Sequence, residues 1–104
     1  MLYLYRTDPA VMCQEFQKTG PNTVASIQGF TVEVKFAGGV LYRHNDTEVI
    51  IDSEWLANPP GIILYERSPG NKGMDNMDQA QVARIFSNVA RALKYLGHRV
   101  ETWS

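Results

Sequence analysis

Six apolar side chains, Val82, Ile85, Phe86, Val89, Leu93 and Leu96, recur at the three- and four-residue spacing that places them on one stripe of a helix. Asp78 precedes the stripe with an oxygen suited to the free first-turn N–H groups, Gln81 stands three residues on as its capping-box partner, and Gly97 ends the pattern. Arg84, Asn88, Arg91 and Tyr95 share the other face, and Arg91 and Lys94 suit the negative end of the helix dipole. A helix this one-sided is stable only when its apolar face is covered. The remainder of the chain must therefore supply a surface for it to lie on.

That surface reads as strands. Over 31–36, Val32, Val34 and Phe36 alternate with Glu33 and Lys35, and Gly38-Gly39 separates this run from Val40-Leu41-Tyr42-Arg43. A two-glycine hairpin turn would set Phe36 opposite Leu41, Lys35 opposite Tyr42 and Glu33 opposite His44. Asn45-Asp46-Thr47 supplies the next turn, and 48–52 reads as a third strand whose Ile50 and Ile51 face opposite ways, as in a central strand covered on both sides. Ser53-Glu54-Trp55-Leu56 is expected as one helical turn, Asn58-Pro59-Pro60-Gly61 as a loop, and 62–65 as another strand. The stretch 67–77 is aperiodic and rich in turn residues, so it is expected to be the most mobile part of the chain. Residues 98–103 contain Val100 and could return as an edge strand.

At the start of the chain, Leu2-Tyr3-Leu4-Tyr5 suggests a first strand, and Asp8-Pro9 followed by Val11, Met12 and Phe16 predicts a short helix at about 9–18. The expected fold is thus α+β: an antiparallel β-sheet of about four to six strands, a long C-terminal helix packed on it, and a short N-terminal helix. At 104 residues, with 44% hydrophobic content, the chain suits a single domain spanning 1–104.

Composition narrows the function. Ten Lys and Arg stand against eleven Asp and Glu, so the basic excess of an electrostatic nucleic-acid binder is missing, and no direct nucleic-acid binding is expected. The one cysteine, Cys13, has no partner for an internal disulfide or a Cys-x-x-Cys site and reads as a small core hydrophobe. No apolar run approaches a membrane span, and the opening residues lack a signal-peptide pattern, so the cytoplasm is the expected compartment. No catalytic motif is found: there is no phosphate-binding loop, no His-Glu-x-x-His and no Gly-x-Ser-x-Gly elbow. A metal site from His44, Asp46 and Asp52 or Glu54 matches no spacing of fixed geometry, and no cofactor or metal is expected. An acid–base pair made of His44 and His98, as in a small metal-free enzyme, is the main catalytic alternative. An adaptor that holds a partner's segment on its sheet is another.

Charge is distributed unevenly. Asp46, Glu48, Asp52, Glu54 and Glu66 follow His44 with no intervening Lys or Arg, whereas 84–99 carries Arg84, Arg91, Lys94 and Arg99 and no acid. With Trp55 and Tyr65 inside it, the acidic span is a candidate surface for docking a basic partner: Asp46, Glu48, Asp52, Glu54, Trp55, Tyr65 and Glu66.

The order of Gly-Gly-Val-Leu-Tyr-Arg, Asp52-Ser-Glu-Trp-Leu56, Ile62-Ile-Leu-Tyr-Glu-Arg-Ser68, the Arg84-Ile85 and Arg91-Ala92-Leu93 helix, and Gly97-His-Arg-Val-Glu101 resembles small immunity proteins of bacterial polymorphic toxin systems. These include proteins that protect against contact-dependent growth inhibition toxins. The likeness spans about residues 24–103; where that pattern has a Trp after Ser68, this chain has Pro69-Gly-Asn-Lys-Gly-Met74. The resemblance implies a non-enzymatic protein, monomeric until it binds one cognate toxin's C-terminal domain in a heterodimer. That domain is often a nuclease, transfer-RNA cleaving ones among them, and its basic cleft would suit an acidic docking surface.

Overall fold

A computed structural model of the chain describes residues 15–35 and 39–103. Five strands follow one another as an antiparallel meander: β1 (Phe16–Gly20), β2 (Thr23–Ser26), β3 (Phe30–Lys35), β4 (Gly39–His44) and β5 (Thr47–Ile51). After Asp52 the chain enters a second, three-stranded sheet of β6 (Ser53–Ala57), β7 (Pro60–Tyr65) and β8 (Val100–Trp103). The helix α1 (Gln79–Tyr95) connects β7 to β8, and these two strands run parallel. The architecture is α+β, with the long C-terminal helix lying on the strands.

One core joins all three parts. Phe30, Val32 and Val34 of β3 alternate inward, with Val40 and Tyr42 of β4 beside them. Ile62 and Leu64 enter from the second sheet, and Ile85, Phe86, Val89 and Leu93 descend from the helix as the apolar stripe requires. Val82 and Leu96 pack at its margins. Half of the expected capping box forms: Asp78 Oδ1 accepts from the Gln81 backbone N–H at 2.7 Å, while the Gln81 side chain makes no return bond to Asp78. Gly97, at φ 100°, takes the left-handed conformation that ends the helix.

Several expectations are corrected. Phe16–Gly20 is strand, so the short helix over about 9–18 fails where it can be seen; its earlier part, the strand at Leu2-Tyr3-Leu4-Tyr5 and Cys13 lie outside the described residues. In the β3–β4 hairpin Lys35 pairs with Gly39 and Glu33 with Leu41, so the connection is 36–38 rather than two glycines. His44 lies opposite Phe30, and Glu33 instead meets Lys35 at 3.8 Å on its own strand. With the turn earlier in the chain and one residue longer, every cross-strand partner moves by three positions.

Strand β5 is an edge of its sheet, not its centre. Among the described residues one bridge covers that edge: Ile50 and Lys72 exchange two backbone hydrogen bonds of 2.9 Å. Ser53-Glu54-Trp55-Leu56 is strand β6 rather than a helical turn, and Pro60 opens β7 opposite Ala57. A proline is tolerated there because the first residue of a strand need not donate to the ladder. The stretch expected to be most mobile is fastened at several points. Ser68 Oγ donates to Asp52 Oδ2 at 2.5 Å, and the Asp52 N–H donates to Asn71 Oδ1 at 2.6 Å. Asn71 Nδ2 in turn donates to the Tyr65 carbonyl at 2.7 Å. Finally, Asn88 and Arg91 are not on an open face: Asn88 is buried, and Arg91 bonds Asn88, pairs with Glu15 and lies over the Phe16 ring.

Candidate functional site

Alternation along the second sheet sorts its side chains onto two faces. Ile62 and Leu64 point into the core, so Ile63 and Tyr65 point away from it. The registers Glu54 with Ile63, Ile63 with Glu101, and Tyr65 with Trp103 add neighbours to that outer face from both flanking strands. The result is a shallow hollow of about 410 Å³ lined by Glu54, Leu56, Ile63, Tyr65, Arg99 and Trp103, among others.

Its polar groups hold one another in place. Tyr65 Oη donates to Glu54 Oε1 at 2.6 Å, and the Tyr65 and Trp103 rings meet edge to face with centroids 6.2 Å apart. Trp103 is 52% exposed, a large apolar ring left in water at the sheet's edge. Its indole N–H donates to Glu101 at 3.3 Å, while Arg99 pairs with Glu101 and donates to the Pro59 carbonyl at 3.2 Å. The hydrogen bond from Tyr65 to the Glu54 carboxylate raises the phenol pKa above its ordinary value, aided by desolvation and the nearby Glu54 and Asp52 charges. The Arg99 guanidinium, assisted by the Trp103 N–H, lowers the pKa of Glu101.

The acidic span does not form one surface. Glu54 and Tyr65 belong to the hollow. Asp46 is exposed in the β4–β5 turn, and Glu48 pairs across the hairpin with Arg43 at 2.8 Å, so part of its charge is already answered. Asp52 is half-buried and accepts from Ser68 as part of the fold's own fastening. Trp55 faces the opposite way from Glu54, and its ring stands edge to face against His98 with centroids 5.1 Å apart. Glu66 borders a separate groove of about 480 Å³ between α1 and β8, floored by Val82, Phe86 and Met77. Arg99, Glu101 and Trp103 were missing from the sequence-based site. Their alternation with Val100 was visible, but nothing local indicated that β8 would lie parallel to β7.

The two histidines are not brought together. His44 lines a cavity beneath the first half of α1, whereas His98 follows the helix's C-terminal end against Trp55. Among the described residues no cluster of three or more His, Cys, Asp or Glu could hold a metal ion, and no helix is long and apolar enough to cross a membrane. No family model matches the chain, and neither a curated protein nor a solved structure matches it.

Proposed function

We propose that this chain is a binding protein of the immunity type, which neutralises a cognate bacterial toxin domain, a nuclease, in the cytoplasm by docking on the outer face of the second sheet. The observation that carries the reading is the Tyr65–Trp103 pair, an exposed indole against a half-buried phenol over a hollow with the Glu54 carboxylate fixed at its side. Tyr and Trp dominate the energetics of protein interfaces because they cover large areas while losing little side-chain entropy. A preset carboxylate at the rim adds attraction for a basic partner. The sequence resemblance over about residues 24–103 supports the same role. The docking residues of this reading are Glu54, Tyr65 and Trp103, with Leu56 and Ile63 as the apolar floor.

The test begins with the genes on either side of this chain's own: the reading expects one to encode a large exported protein, and that protein's C-terminal domain is the partner to use. Co-expression should restore growth to cells making that domain, and the purified pair should form a one-to-one complex. Trp103→Ala leaves the core intact and should raise the dissociation rate by about 30-fold, the effect of roughly 2 kcal/mol at a hot spot. Glu54→Lys should slow association and weaken its dependence on salt. Folded variants that bind and protect like the parent would remove this face from consideration, and no protection by the parent chain would remove the function.

A further inference from the structure

A third cavity lies under the first half of α1. Its volume is about 150 Å³, and its walls come from two directions. Gln81, Arg84, Ile85 and Asn88 descend from the helix at spacings that share one face, and Phe30, Tyr42, His44 and Thr47 rise from the large sheet. The sheet register explains the grouping. Phe30, His44 and Thr47 form one cross-strand row over β3, β4 and β5, and Tyr42 stands two residues from His44 on the same face.

What distinguishes this cavity is a set of donors that the fold leaves unused. Arg43, Arg91 and Arg99 each pair with a carboxylate, whereas the exposed Arg84, like Arg67, has no partner among the described residues, and of those two only Arg84 lines this cavity. Tyr42 is 3% exposed, and no described residue accepts or donates at its hydroxyl. Asn88 is 7% exposed; its Oδ1 accepts from Arg91, which leaves its NH₂ group as a donor without an acceptor among the described residues. His44 adds an imidazole with no hydrogen-bond partner there. The lining contains no carboxylate, and the nearby Asp78 is turned to the Gln81 N–H as the helix cap. Tyr42 and Asn88 are buried residues whose polar ends face this space, His44 is half-buried beside them and Arg84 stands exposed at the mouth, so an acceptor-rich guest would find four donors and no competing carboxylate.

We propose that this cavity is a binding site for a tetrahedral oxyanion, the phosphate group of a small phosphorylated molecule. The guanidinium of Arg84 supplies charge and a two-pronged donor, and the Asn88 NH₂ group supports it from the same helix. Tyr42 and His44 approach from the opposite wall, so donors surround the guest in three dimensions instead of presenting the single flat fork that a carboxylate prefers. At roughly 30 Å³ per water the space equals about five water molecules. That admits a phosphate group but not a whole ligand, whose remainder would stay outside.

The experiment titrates the full chain with inorganic phosphate, and in parallel with acetate, while following backbone amide and side-chain signals by NMR. Saturable shifts centred on His44, Arg84 and Asn88, stronger for phosphate than for acetate, are expected. Arg84→Gln should weaken phosphate binding by at least about tenfold, and Arg84→Lys, which keeps the charge but loses the fork, by less. Tyr42→Phe removes only a hydroxyl and should weaken binding several-fold. Arg43→Gln, whose side chain pairs with Glu48 on the exposed surface, should leave binding unchanged. The proposal is overturned if the site takes up only water and shows no saturable shift, if acetate binds as tightly as phosphate, or if Arg84→Gln binds like the parent.

Discussion

Replacing Asn71 with alanine cuts a latch that holds three separate pieces of chain together. One amide side chain accepts from the Asp52 N–H at 2.6 Å and donates to the Tyr65 carbonyl at 2.7 Å, closing the seam where the chain passes between sheets. Each such bond contributes about 0.5–1.5 kcal/mol net, so Asn71→Ala should lose about 2 kcal/mol. The side chain is half-buried, and water entering the gap holds the loss below the cost of two orphaned polar groups. With a urea m-value of about 2 kcal/mol per molar, ordinary for a domain of this size, the unfolding midpoint should fall by about 1 M while m stays constant. Hydrogen exchange supplies the local readout. The Lys72 and Ile50 amides, bonded to each other's carbonyls at 2.9 Å, should lose protection more than the helix does. A midpoint within about 0.2 M of the parent, with both amides still protected, would refute the latch and restore 67–77 to an unanchored loop.

Three further outcomes are expected. Phe86→Ala removes a side chain that is 5% exposed and belongs to the common core, so it should cost about 3–5 kcal/mol in chemical denaturation. Gly73→Ala asks for a Cβ 2.2 Å from the Glu48 carbonyl oxygen at φ 92°, and should destabilise by more than about 2 kcal/mol while freeing the Ile50 amide to exchange. Because the fold favours the neutral phenol of Tyr65, its contribution is complete below the unfolded phenol pKa and is lost as pH rises through the raised folded value. Ultraviolet titration should therefore show Glu54→Gln bringing Tyr65 ionisation to lower pH, and an unchanged curve would rule out the carboxylate as the cause.

What could be read in advance divides along the distance over which each signal acts. The α1 helix was legible residue by residue because its stripe, its Asp78 cap and its terminating Gly97 all lie within a few residues of one another. The β3–β4 hairpin was legible as an element, but its register was not. Alternation assigns Val32 and Val34 to one face whatever the loop length, while the loop alone decides that Glu33 meets Leu41 rather than His44. The helical turn expected at Ser53-Glu54-Trp55-Leu56 lost to pairing with β7, a tertiary advantage that outweighs the weak local preference of four residues.

The candidate sites show the same division. Sequence by itself identified an α+β domain, the helix's buried face, and an aromatic and acidic stretch containing Glu54 and Tyr65. Only the tertiary structure placed Trp103 beside Tyr65, turned Trp55 the other way and spent Asp52 on the fold's own fastening. It also gathered Tyr42, His44, Arg84 and Asn88 around one cavity. The physical reason is that side-chain periodicity states which way a residue points within its own element, whereas a site depends on which elements become neighbours. That choice is made by burial of the whole chain's apolar surface, and no short window of residues contains it.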